Sequence, residues 1–119
     1  MAKHIVLIEN DNDFRWVVTL MLEGLGYRVT SFAQVEDIEA LIALSVDLFM
    51  VDENLPGING HILCILLKSK PKTREIPLIL ISGATDLVEM ASLSDADGFL
   101  AKPFTHEDLQ EVFAEVAQW

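Results

Sequence analysis

Apolar residues in this chain follow two rhythms. His4-Ile5-Val6-Leu7-Ile8, Tyr27-Arg28-Val29-Thr30-Ser31, the segment from Val46 to Asp52, Ile76-Pro77-Leu78-Ile79-Leu80-Ile81 and Gly98-Phe99-Leu100-Ala101 are short stretches bounded by polar residues, Gly or Pro. Nearly unbroken runs of that length predict strands buried on both faces. Pro77 is tolerable at the first position of its strand, Ser82-Gly83 stops that strand, and Lys102-Pro103 ends the last one.

Between the runs the spacing changes to three and four residues. Phe14, Val17, Val18, Met21, Leu22 and Leu25 form one stripe closed by Gly24 and Gly26, which predicts an amphipathic helix with Trp16 and Leu20 on its outer side. Val35, Ile38, Leu41 and Ile42 mark a second helix. After Gly60, His61 to Leu67 is apolar almost all round. If Leu63, Cys64 and Leu67 face a sheet, then Ile62, Ile65 and Leu66 form an exposed apolar patch, read either as a partner or dimer surface or as a face covered by neighbouring loops. A weak fourth helix is expected from about Ala84 to Ser92. A fifth carries Leu109, Val112, Phe113 and Val116 behind a start in which Thr105 and Asp108 resemble a capping box.

Five strands alternating with five helices imply a parallel sheet with helices on both faces and right-handed crossovers. Every strand's carboxyl end then opens on one edge, where such sheets place their ligands. Glu9 and Asn10, Asp52, Ser82 and Lys102 all fall on that edge. Alone, Asp52 is open to three readings: nucleophile, metal ligand, or cap of the turn that Pro56 and Gly57 force. Five polar residues at four strand ends are hard to explain as separate caps.

The 119 residues suffice for one domain with a substantial core, expected over 1–119 without repeats or linkers. Eight Lys plus Arg against nineteen Asp plus Glu leave a net charge of -11, which argues against direct nucleic-acid binding by this domain. The lone Cys64 forms no internal disulfide, no leader of signal-peptide type is visible, and no apolar run approaches a membrane span. The expected compartment is the cytoplasm, with no membrane partner. His4, His61 and His106 lack metal-ligand spacing and are read as structural or surface residues.

Oxygen ligands without His or Cys suit Mg²⁺, which keeps several waters and takes one or two carboxylates. An Asp carboxylate can attack phosphorus to form an acyl phosphate. Ser82 and Lys102 would hold the phosphoryl oxygens, one by its hydroxyl and the other as a point charge. With no P-loop or other glycine-rich cradle in the sequence, the phosphoryl group must come from another molecule.

Taken as a set, IVLIEN, VDENLPGINGH, LILISG and FLAKPF resemble the receiver domains of two-component response regulators along the whole chain. The resemblance implies an α/β, flavodoxin-like doubly wound (βα)5 fold with strand order 2-1-3-4-5. It implies Asp52 as phosphoacceptor, with Glu9, Asn10, Asp52 and the Asn54 backbone carbonyl around Mg²⁺. Ser82, beside Gly83, and Lys102 take the signalling hydroxyl and lysine roles, Lys102-Pro103 is a cis peptide, and Phe99 stands at the aromatic switch. The implied partners are a histidine kinase or histidine phosphotransfer domain, docking near Trp16 and Leu20, and a second copy or an output domain. A receiver is a phosphoacceptor rather than an enzyme, with at most Mg²⁺-dependent self-phosphorylation and autodephosphorylation.

The chain departs from that pattern at Asn10, where the family carries an acid that binds the metal directly. One charge pair at about 4 Å is worth roughly 4 kcal/mol at an effective dielectric near 20, and a third of that is about tenfold in affinity. Weaker Mg²⁺ binding and slower phosphorylation are the expectation. Phe99 also lacks the hydroxyl of the commoner Tyr, and the fourth helix is short and polar. The competing reading is a degenerate receiver that serves as a phosphorylation-independent interaction module through Ile62, Ile65 and Leu66. An aspartyl phosphatase would want a second carboxylate two residues after Asp52, where Asn54 stands.

Overall fold

The computed structural model describes residues 1–83, 85, 87–117 and 119. Five parallel strands, β1 (His4–Ile8), β2 (Arg28–Phe32), β3 (Leu48–Asp52), β4 (Leu78–Gly83) and β5 (Gly98–Lys102), lie in the order β2-β1-β3-β4-β5. That is the flavodoxin-like, doubly wound order, with the reversal between β1 and β3. Four connecting helices, α1 (Asn12–Gly24), α2 (Ile38–Ile42), α3 (Gly60–Lys68) and α4 (Leu87–Leu93), join them, and α5 (His106–Val116) follows β5.

Strand alternation divides the core in two. Ile5, Leu7, Leu48, Met50, Ile79, Ile81 and Leu100 pack with Val18 and Leu22 of α1 and with Leu109, Phe113 and Val116 of α5. Val6, Ile8, Phe49, Val51, Leu78 and Leu80 pack on the other face with Leu41 of α2 and with Leu63, Cys64 and Leu67 of α3. The central strands are apolar on both parities because both faces are covered. The same parity carries past the last apolar residues, so Glu9, Asp52 and Lys102 fall on the α1/α5 side, while Glu53 and Ser82 fall on the other.

Local signals set the helix starts. Asp11 caps α1 by accepting the Phe14 N–H at 3.0 Å, and Asp37 caps α2 through the Glu39 N–H at 3.0 Å. Thr105 and Asp108 form a reciprocal capping box on α5, with bonds of 3.1 and 3.0 Å. At five residues α2 is too short to hold itself together; its cap and the buried Leu41 fix it in place. His4 is a packed core residue. Its Nδ1–H donates to the Ser45 carbonyl at 2.6 Å, and Nε2 lies 2.7 Å from the Thr30 hydroxyl.

Several expected boundaries move. Ser82 and Gly83 do not stop β4 but are its last two residues, because β5 continues pairing to Ala101 and Lys102 beside them. Val35 lies outside α2, since the Asp37 cap starts that helix three residues later. Val17 was expected on the buried stripe of α1 but is 51% exposed; the helix turns only Val18 and Leu22 fully inward. Leu25, the cap residue of α1, is also exposed. The fourth helix is short, with no fully buried residue. Ala84, the expected start of that helix, lies outside the described residues. Among those residues no helix is long and apolar enough to cross a membrane.

Candidate functional site

At the carboxyl edge of the sheet the ends of β1, β3 and β5 converge on one ammonium group. Lys102 Nζ lies 2.7 Å from Glu9 Oε1 and 2.9 Å from Asp52 Oδ1. Both carboxylate side chains are almost wholly buried, at 1% and 2% exposure, whereas Lys102 keeps a quarter of its surface open. Buried charge at this density persists only when paired. Burial pushes the Asp52 carboxyl above its ordinary range; Lys102 opposes the rise and the neighbouring Glu9 charge adds to it. For Lys102, burial works to lower the value, but the two carboxylates outweigh it and hold the ammonium above the usual lysine range.

Second-rank contacts fix these groups. Arg15 donates from Nη1 to the Glu9 carbonyl at 2.7 Å, and Glu9 Oε2 accepts the Asp11 N–H at 3.0 Å. The Phe14 ring lies under the Lys102 ammonium, 4.6 Å from Nζ to centroid, and packs edge-on against Phe104. The Asn54 N–H donates to Asp52 Oδ2 at 3.2 Å. Gly60 brings the start of α3 against this turn: a Cβ there would overlap the Asp52 carbonyl oxygen and stand 2.7 Å from the Glu53 Cα. The Lys102–Pro103 peptide is cis.

Ser82 is fully buried, and its Oγ finds no hydrogen-bond partner. An orphaned hydroxyl is costly. Glu9 Oε1 and Asp52 Oδ1 likewise accept no hydrogen bond beyond the lysine's ion pairs. Among the described residues no cluster of three or more His, Cys, Asp or Glu forms a metal site. Magnesium does not require one, since it takes one or two carboxylates with carbonyl oxygens and water. Two buried carboxylates with unfilled acceptor capacity therefore fit that ion.

The structure thus brings together Glu9, Asp52 and Lys102, with the Asn54 backbone beside them. Asn10 does not join them by its amide: it is exposed, and Nδ2 donates to the Ala33 carbonyl at 3.2 Å. Asp11 is committed to capping α1. Phe99 is half-buried against the core on the α3 side of the sheet. Trp16 and Leu20 are 65% and 49% exposed on α1, joined by Val17. Of the α3 patch, Ile62 and Leu66 are exposed, whereas Ile65 is half-buried. Sequence reasoning missed Arg15 and Phe14 as supports of the site. It also missed the pairing of buried Glu53 with half-buried His61, whose Oε2 and Nδ1 are 2.7 Å apart; they lie eight positions apart across a Pro-Gly turn, so no helix or strand period reveals them.

A family model described as the response regulator receiver domain matches residues 5–114. The C4-dicarboxylate transport transcriptional regulatory protein DctD of Rhizobium meliloti is 35% identical over 91% of this chain, and the DNA-binding response regulator MtrA of Mycolicibacterium paratuberculosis is 27% identical over 92%. The chain spans 24% and 48% of those two proteins' own lengths. Among solved structures, the receiver domain of the sensor histidine kinase PA1611 from Pseudomonas aeruginosa, with magnesium coordinated in its active-site cleft, is similar with a TM-score of 0.86 and 25% identity, covering 97% of this chain and 98% of that one. A receiver domain protein from Methanospirillum hungatei has the same fold, with a TM-score of 0.85 over 97% of this chain at 24% identity.

Proposed function

The chain belongs to the response regulator receiver domains of two-component signalling, and from that premise we propose that residues 1–119 act as one receiver domain whose Asp52 accepts a phosphoryl group. The observation that carries the reading is the buried Glu9–Lys102–Asp52 cluster at the carboxyl edge of the sheet. The donor is a phosphohistidine on a kinase or phosphotransfer domain. An Asp52 carboxylate oxygen attacks phosphorus, the bond from phosphorus to the imidazole nitrogen breaks, and that nitrogen keeps the electron pair and takes a proton. Lys102 supplies positive charge where the acyl phosphate forms, and Ser82 Oγ gains the acceptor it lacks by donating to a phosphoryl oxygen. Glu9, Asp52 and the Asn54 backbone carbonyl would hold Mg²⁺, which when bound neutralises charge as the phosphoryl group approaches; Asn10, whose amide is turned to the Ala33 carbonyl, would reach the ion only by releasing that bond.

Loss of the orphaned state of Ser82 favours an inward shift of the β4 end, with Gly83 giving it room and Phe99 following. The resulting change in the α4–β5–α5 face signals to an output domain or a second copy. Trp16 and Leu20 offer the donor an apolar landing near the site. Cytoplasmic placement is part of the proposal, in keeping with a single reduced cysteine.

The test is Mg²⁺-dependent phosphorylation by a small phosphoramidate, read by intact mass. A gain of one phosphoryl group that disappears in Asp52→Asn supports the reading. No gain at high Mg²⁺ refutes it and leaves the interaction module, with Ile62, Ile65 and Leu66 as its surface.

A further inference from the structure

Glu53 directly follows the phosphoacceptor, and the chemistry above gives it no part. It is only 7% exposed, an uncommon place for a carboxylate. Alternation turns it away from Asp52 and toward α3. Every polar group it owns is engaged. Its N–H donates to the Ile81 carbonyl at 2.8 Å, and its own carbonyl accepts the N–H groups of Gly60 at 2.9 Å and Leu55 at 3.2 Å. Its carboxylate accepts the His61 N–H at 2.8 Å on Oε1 and the His61 Nδ1–H at 2.7 Å on Oε2.

Glu53 thereby replaces a missing cap. Asn59, the cap residue of α3, makes no side-chain capping bond, and the first turn carries no acidic residue of its own. The first N–H groups of a helix need acceptors. Here Gly60 and His61 find theirs on the residue that follows the preceding strand. The turn from Asn54 to Asn59 is consequently closed on a residue that is covalently joined to Asp52 on one side and Asn54 on the other. A shift of the α3 start is passed directly to the Asn54 peptide, whose N–H reaches Asp52 Oδ2.

We propose that Glu53 and His61 are a positioning pair: they fix the β3–α3 turn so that the Asn54 backbone meets Asp52 and a bound cation in productive geometry. The proposal rests on the phosphoacceptor reading of Asp52. Supporting groups of this kind typically change metal affinity by about 10–100-fold when removed, more than a remote cap would.

The experiment compares the full chain with Glu53→Ala, Glu53→Gln, His61→Phe and the double variant Glu53→Ala/His61→Phe. Three quantities are read: stability in denaturant, hydrogen exchange of the Asn54 amide without metal, and phosphoramidate uptake against Mg²⁺ concentration. Glu53→Ala should raise the half-maximal Mg²⁺ concentration about tenfold and expose the Asn54 amide to exchange. His61→Phe should do the same to a smaller degree, and the double variant should be no worse than Glu53→Ala, because the two residues act as one unit. Glu53→Gln keeps an oxygen for the His61 N–H and should recover much of the loss. Lower stability with unchanged Mg²⁺ midpoint and unchanged Asn54 exchange would overturn the proposal and leave a mere helix cap. If Glu53→Ala does not fold, Glu53→Gln and His61→Phe decide by the same two readouts. A parent chain that takes up no phosphate, with Asn54 exchange still raised in the variants, would sink the phosphoacceptor reading while the pair's hold on the turn stands.

Discussion

Replacing Lys102 by methionine tests the counter-charge logic of the site. The ammonium meets two buried carboxylate oxygens at 2.7 and 2.9 Å, contacts worth roughly 6 kcal/mol each in Coulomb energy at an effective dielectric near 20. Desolvation offsets most of that sum, and removing one member of a buried charge cluster typically costs about 3–5 kcal/mol. Proton uptake limits the loss. Asp52, already held above the usual carboxylate range by burial, titrates higher still once the cation is gone. A carboxyl whose folded pKa exceeds its unfolded value binds more protons in the folded state, so its stability contribution is kept at low pH and lost as pH rises from about 4. The deficit of Lys102→Met should therefore be small near pH 4 and reach about 3 kcal/mol by pH 8, a fall of about 10 °C in melting temperature. Urea denaturation in chelator at several pH values measures it, and the same substitution in an Asp52→Asn background should cost much less. A deficit under about 1 kcal/mol at pH 8, as for a solvated surface pair, or one that does not change with pH, would refute the reasoning.

Three further outcomes follow from individual residues. The Cys64 thiol, buried in α3 beside the Glu53 charge, is pushed up to about 12 from 9.0. Stability assigned to it is therefore intact below pH 9 and falls by about 1.4 kcal/mol at pH 10; Cys64→Ala should remove that part of the alkaline slope, and the parent thiol should resist alkylation until the chain unfolds. Gly60→Ala drives a Cβ into the Asp52 carbonyl oxygen and should cost about 3 kcal/mol in denaturant while disturbing the Asn54 and His61 amide signals. Asn10→Asp adds a charge next to Glu9 and, on the proposed Mg²⁺ site, should tighten Mg²⁺ binding about tenfold by calorimetric titration; an unchanged affinity would place Asn10 outside the ion's reach.

The sheet was legible because β1, β3 and β4 are covered on both faces, which leaves unbroken apolar runs and polar residues only where they end. Glu9, Asp52 and Lys102 could be grouped from the sequence for that reason alone. Boundaries were less legible. The end of β4 at Gly83 depends on pairing with β5, and the start of α2 depends on the Asp37 side chain overriding the apolar signal of Val35. Val17 shares the spacing of a buried stripe, yet the helix rotation set by Val18 and Leu22 leaves it outside. Glu53 and His61 read as ordinary turn and helix residues, because only the tertiary approach of α3 to the end of β3 brings them together.

The two tryptophans occupy opposite edges of the sheet. Trp119 packs on Tyr27, with centroids 6.2 Å apart, under the Lys3 ammonium at 5.5 Å, where the strands begin. Trp16 stands free on α1, next to the Arg15 that holds Glu9. The chain thus carries two tryptophan fluorophores in unlike surroundings, one anchored where the strands begin and one on the helix whose Arg15 holds Glu9. With Trp119 replaced by phenylalanine and excitation at a tryptophan-selective wavelength, Trp16 emission would give an unlabelled optical test of the donor docking proposed above.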